Sequence, residues 1–168
     1  MGNISRFAEA RYCSGMGADW IGFKNITPES FAEMAGWLAG PRFALEAEHI
    51  PATRIHNTVL EIPVSEIAKT HGDIAIRLGM NEWEKYKHEI WAKKNLIRYA
   101  QVHADEPVNR KALEEMCACT EVYVLAEEEK LDFCLSLGTQ GIALTGGSTN
   151  EDYSPLSTIL EKLQEQWF

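Results

Sequence analysis

The sequence predicts an α/β fold built on a parallel sheet, and three observations predict it. Seven short apolar runs recur along the 168 residues, each adjoined by a stretch with helical periodicity. The runs are nearly continuous in apolar residues, as parallel strands beneath helices are, and do not alternate like half-exposed ribbons. Four of them also carry a single charge near the centre, which separates the sheets that could accommodate them.

In chain order, Met1-Gly2-Asn3-Ile4-Ser5 leads straight into a helical stretch containing Cys13. The apolar runs follow as Trp20–Phe23, Phe43–Ala47, Val59–Ile62, Ile74–Leu78, Leu96–Val102, Val122–Ala126 and Ile142–Thr145. Thr27-Pro28-Glu29 supplies a cap, a proline for the first helical position and an early acid before Phe31–Leu38. Asn81-Glu82 opens Trp83–Lys94, where Trp83, Tyr86, Ile90 and Trp91 recur at helical spacing. Asn109-Arg110 opens Lys111–Cys119, and Ser154-Pro155 opens Leu156–Trp167. Gly40, Gly72 and Gly138 fall where helices should end.

The central charges lie in Ala44-Leu45-Glu46-Ala47, Val59-Leu60-Glu61-Ile62, Ala75-Ile76-Arg77-Leu78 and Ile97-Arg98-Tyr99-Ala100. Side chains alternate between the faces of a strand, so Leu45, Leu60, Ile62, Ile76 and Leu78 share the helix-covered face. Glu46, Glu61 and Arg77 then share the other. Arg98 joins them if its strand keeps that register, with Tyr99 and Gln101 as competitors. An open sheet with helices on both faces would bury these charges against apolar helices, at a cost of several kcal/mol each. A barrel interior lets acids and bases on consecutive strands neutralise one another. Eight strand–helix units close such a barrel. The prediction is therefore an incomplete TIM-type (β/α) barrel, one domain over residues 1–168, with about seven parallel strands and the first strand missing. The polar network either fills the barrel centre or floors a site at the C-terminal ends of the strands. Without a first strand, Trp20–Phe23 and Ile142–Thr145 expose edges that favour a homodimer or higher assembly. A β-type run encoded upstream of Met1 would instead complete the barrel.

A length of 168 residues suits one domain but is short for a complete barrel of about 250. An apolar fraction of 45% and five tryptophans argue for a folded core. The net charge of −9 disfavours nucleic acid and anionic membranes as partners. No run approaches the roughly 18 apolar residues of a membrane span, and no signal peptide opens the chain, so a cytoplasmic protein is expected. Cys13, Cys117, Cys119 and Cys134 lack disulfide or zinc spacing and read as reduced, buried thiols. His49, His56, His71 and His88 show no paired metal-ligand spacing, so no metal is expected. No P-loop, dinucleotide fingerprint or Ser-His-Asp signature calls for a cofactor or nucleophile. Glu46 and Glu61 could form an acid/base pair, although Arg77 nearby favours both being ionised.

The last run ends in Ala143-Leu144-Thr145-Gly146-Gly147-Ser148-Thr149, ahead of the helix at Ser154. Adjacent glycines there either bring backbone N–H groups to a phosphate or make a tight turn. Barrels frequently bind phosphate after their last two strands, which favours Gly146, Gly147 and Ser148 as a sugar-phosphate site. Glu127-Glu128-Glu129, after the preceding run, reads as an acidic helix start and disfavours a phosphate beside it.

Two stretches resemble the phosphoribosylanthranilate isomerase family of tryptophan biosynthesis. The first is Asn3-Ile4-Ser5…Ala10-Arg11-Tyr12-Cys13-Ser14-Gly15-Met16-Gly17-Ala18-Asp19-Trp20-Ile21-Gly22-Phe23, similar to that family's first helix and second strand. The second is Ile142–Leu163, similar to its last strand, phosphate loop and terminal helix. Together they cover about a quarter of the chain. The resemblance implies an Amadori rearrangement of a phosphoribosyl amine, which needs an acid to open the ring and a base to move a proton. It also implies a Cys base just before the glycine matching Gly2, and that position precedes the matched residues. Cys13 lies in the following helix and does not match. The implied acid is an Asp ending the sixth family strand, where this chain has Gln101-Val102-His103-Ala104-Asp105. His103 and Asp105 are the remaining candidates, each also readable as a solvated loop residue. The expected function is an isomerase-like protein with weak or no isomerase activity, binding a sugar phosphate. The alternative is a non-catalytic module that associates through the open barrel edge.

Overall fold

Two helices begin at the caps the sequence marks. Thr27 Oγ1 accepts the Ser30 N–H at 3.2 Å, and Asn109 Oδ1 accepts the Ala112 N–H at 3.1 Å. The computed structural model describes residues 1–51, 58–104, 107–146 and 153–167. His56, Asp105, Gly147 and Ser148 lie outside the described residues. The elements are α1 (Phe7–Gly15), β1 (Trp20–Phe23), α2 (Pro28–Trp37), β2 (Arg42–Glu46) and β3 (Val59–Pro63). After a 3₁₀ turn come β4 (Ile74–Gly79), α3 (Trp83–Lys93), β5 (Ile97–His103), α4 (Arg110–Cys117) and β6 (Glu121–Leu125). A 3₁₀ turn at Glu128–Lys130 leads into α5 (Leu131–Leu135), followed by β7 (Gly141–Ala143) and α6 (Ser154–Trp167). Gly40, Gly72 and Gly138 all have positive φ, the backbone state for which glycine is the least strained residue.

The strands form one curled, all-parallel sheet in sequential order, β1 to β7. Its outer face carries the apolar residues expected there. Ile74, Ile76, Leu78, Val102, Val122 and Val124 pack with Trp83 and Ile90 of α3, Leu113 and Met116 of α4, and Leu131 of α5. Ile21 and Phe23 pack with Ile4, Ala10 and Cys13 on one side and Phe31 and Met34 of α2 on the other. The inner face holds a smaller cluster of Trp20, Ala44, Ala75 and Tyr99. An α/β incomplete barrel with helices outside and charges inside is the arrangement the strand pattern predicts.

Two expectations change. Arg98 does not join the interior: β4 pairs Ile74 with Ile97 and then Ala75 with Tyr99, so a bulge skips Arg98. Its guanidinium instead reaches Asp73 at 2.7 Å, with both side chains about half exposed. Tyr99 takes the inward position. The edges of β1 and β7 are also less open than a missing strand implies, because Met1–Ile4 bridges them. Met1 O accepts the Gly22 N–H at 2.6 Å, Ile4 N–H donates to Gly22 O at 2.9 Å, and Lys24 N–H donates to Ile4 O at 2.9 Å. On the other side Gly2 N–H donates to Leu144 O at 2.9 Å, and Gly146 N–H to Gly2 O at 2.8 Å. One extra residue separates the Met1 and Ile4 pairings, and Asn3, at φ 61°, absorbs it.

Candidate functional site: the polar interior of the curled sheet

Register brings the interior charges together. Glu46 lies beside Glu61, Glu61 beside Ala75, and Ala75 beside Tyr99. Alanine in the middle leaves room across β4, and the Tyr99 hydroxyl donates to Glu61 Oε2. One step toward the C-terminal end, Arg77 places Nε 3.4 Å from Glu61 Oε1. Its Nη2 donates to Ala47 O at 2.9 Å and approaches Glu48 Oε1 at 3.3 Å. Lys24 Nζ sits 3.5 Å from the same Glu48 oxygen. A chain of alternating charge, Glu61–Arg77–Glu48–Lys24, thus runs from the interior to the ends of the strands. Glu46 Oε1 accepts the Asn3 N–H. Gly2 and Gly22 make space for that carboxylate: a Cβ would meet Glu46 Oε1 at 2.9 Å on the first and 2.7 Å on the second.

Burial sets the proton affinities. Glu61 is 2% exposed, and its carboxyl is pushed up, first by desolvation and then by the neighbouring Glu46. Arg77 and Tyr99 act in the opposite direction and do not outweigh burial. Burial and Glu46 thus oppose at Glu61 the ionisation that Arg77 favours. Tyr99 is held well above the ordinary phenol range by burial and by Glu61. Exposed Glu48 shifts downward because Arg77 stands beside it. The Met1 ammonium, which donates to Trp20 O at 2.8 Å, is lowered by desolvation.

A raised Glu61 has a definite sign in stability. The folded state holds its proton above the pH at which the unfolded chain releases it, so this contribution is complete at low pH. It is lost as pH rises through the folded value. Glu61→Gln keeps an acceptor for Tyr99 and cannot ionise. Its melting temperature is expected to exceed that of the parent at pH 7, with the advantage disappearing toward pH 4. A parent protein more stable than the variant at pH 7 would mean that the Arg77 pairing outweighs desolvation.

The other sequence candidates are placed unevenly. His103 ends β5 beside Gly79, on the inward row and exposed. Gly146 is committed to the closure: its N–H goes to Gly2 O, and its carbonyl accepts Asn3 Nδ2 at 3.0 Å. Sequence reasoning passed over Lys24 and Glu48. Their signal is parity, since Lys24 continues the Trp20, Gly22 row and Glu48 follows Glu46 by two. Chemically, the interior offers a buried acid whose proton affinity burial raises, Glu61, and two cations nearer the strand ends, Arg77 and Lys24. Among the described residues, no group of three His, Cys, Asp or Glu side chains is placed to hold a metal, and no helix is long and apolar enough to cross a membrane. The four cysteines are free. No protein-family model, curated protein or solved structure matches the chain.

Proposed function

We propose that the chain is a phosphoribosylanthranilate isomerase-like TIM-type barrel that holds a sugar phosphate at the C-terminal ends of its strands and has weak or no isomerase activity. The observation that carries this reading is the position of Met1–Ile4 between β1 and β7. The resemblance assigns Gly2 to the end of the family's first strand, and Gly2 pairs with Thr145 beside the last strand. Arg77 and Lys24 supply cations for an anionic ligand, with Gly147 and Ser148 as the phosphate donors the resemblance implies.

Weak or absent turnover follows from the groups at the two catalytic positions. The residue preceding Gly2 is Met1, whose thioether carries no proton to exchange and packs against the outer apolar clusters. At the end of β5 stands His103 in place of an aspartate. Glu61, whose proton affinity burial raises, is tied to Tyr99 and Arg77 within the sheet.

Calorimetry and a turnover assay with phosphoribosylanthranilate test both halves. Binding is expected, with turnover far below the roughly 10 s⁻¹ of a median enzyme. Turnover at that ordinary rate would overturn the inactive part, and failure to bind phosphoribosylanthranilate or ribose 5-phosphate would overturn the ligand. A dimer by light scattering that binds neither compound would favour the association module instead.

A further inference from the structure

The charge chain at the strand ends places one carboxylate where a ligand's anion would sit. Glu48 Oε1 lies 3.3 Å from both Nη1 and Nη2 of Arg77 and 3.5 Å from Lys24 Nζ. Both cations are anchored independently of it. Arg77 is fixed by Ala47 O at 2.9 Å and faces Glu61 Oε1 at 3.4 Å, and its side chain is 23% exposed. Lys24 follows β1 directly, its N–H bonds to Ile4 O, and its side chain is 32% exposed. Glu48 differs from both. It lies just past β2, after the bond from Ala47 N–H to Glu61 O at 2.9 Å, and its side chain is 59% exposed.

We propose that Glu48 is an internal stand-in for the ligand's anionic group, seated on Lys24 and Arg77 until a phosphate displaces it, and that this competition sets the affinity of the site. The inference deepens the sugar-phosphate reading and rests on it. Geometry makes the carboxylate a weak occupant. A single oxygen serves three nitrogens, each at the long end of hydrogen-bond distance. A guanidinium is a fork that matches two oxygens of one group. A phosphate monoester has three terminal oxygens and up to about two negative charges, so separate oxygens can take the Arg77 fork and Lys24. Glu48 brings one charge through one oxygen. Arg77, and after it Lys24, hold the Glu48 carboxyl below the ordinary range, so the competitor is charged at neutral pH. Its departure breaks only the ion pairs of an exposed acid, which solvent screens, and returns a carboxylate to water. Arg77 remains tied to Ala47 O throughout. The seat is therefore preorganised, and the exposed acid is the part that leaves.

Calorimetric titration of the parent, Glu48→Gln and Glu48→Ala tests this, with inorganic phosphate and ribose 5-phosphate as probes at pH 7 and low salt. Both variants are expected to bind both probes about threefold or more tighter than the parent, the scale of releasing one exposed ion pair. The gain should shrink as added salt screens the Glu48 pairing. It should also be smaller in a Lys24→Met background, where the carboxylate holds one cation instead of two. Equal affinities in the parent and both variants would overturn the proposal. So would weaker binding of ribose 5-phosphate by the variants, which would make Glu48 a direct contact to the ligand. Either result leaves the sugar-phosphate reading in place. Absence of binding to both probes in all three proteins would remove that reading and the proposal together.

Discussion

Replacing Ile4 by alanine is expected to destabilise the protein by about 2–5 kcal/mol, the range for truncating a fully buried isoleucine. Ile4 is 0% exposed and packs with Ala10, Cys13, Ile21 and Phe23. Its backbone bonds to Gly22 and Lys24 hold the bridging segment on β1, while Gly2, two residues earlier, holds β7. Loss of the side chain therefore leaves a cavity and loosens the link between the two edge strands. Denaturant unfolding gives the free-energy loss, and hydrogen exchange gives its location. The Lys24 and Gly146 amides, which donate to Ile4 O and Gly2 O, should exchange faster in the variant. A loss under about 1 kcal/mol, with both amides still protected, would show that Met1–Ile4 does not hold the edges together.

That bridge is the feature least legible in the sequence, and the reason is physical. Strands are recognised by runs of apolar residues with a regular side-chain period. Met1–Ile4 is short, contains Gly2 and Asn3, and interrupts its own period with a residue at φ 61°. The longer strands follow their patterns, and Trp20–Phe23 begins and ends where its apolar run does. The inward facing of Glu46, Glu61 and Arg77 was readable because a period of two fixes faces once one apolar row is assigned. Arg98 failed that logic because a bulge moves a residue out of register, and Ile97-Arg98-Tyr99 contains no glycine or proline to mark it. The burial that raises the proton affinity of Glu61 was hidden for a different reason. Sequence places a cation nearby, but only the fold shows the carboxylate 2% exposed and next to Glu46. The glycine pair after β7 was visible as composition, whereas the use of Gly146 in the closure depends on Gly2, a contact between opposite ends of the chain.

Gly146→Ala is the second large effect, expected at about 1–3 kcal/mol from overpacking. A Cβ built on Gly146 would overlap Ile4 Cδ1, lie 2.8 Å from Glu9 Oε1 and 3.2 Å from Gly2 O. The glutamate oxygen can swing away, but the Gly2 carbonyl is backbone held by the Gly146 N–H itself. The Ile4 methyl is the contact that a second mutation can remove. In an Ile4→Ala background the alanine at 146 should therefore cost less than in the parent, by about 0.5–1.5 kcal/mol, and a double-mutant cycle measures that difference directly. The phosphate reading alone predicts another pattern, because a glycine needed only for ligand approach would leave the unliganded protein's stability unchanged. If Gly146→Ala lowers stability without ligand and couples to Ile4, Gly146 serves the closure, and ligand donors must be sought at Gly147 and Ser148. Additivity of the two substitutions within about 0.3 kcal/mol would separate Gly146 from Ile4 and remove the basis for assigning it to the seam.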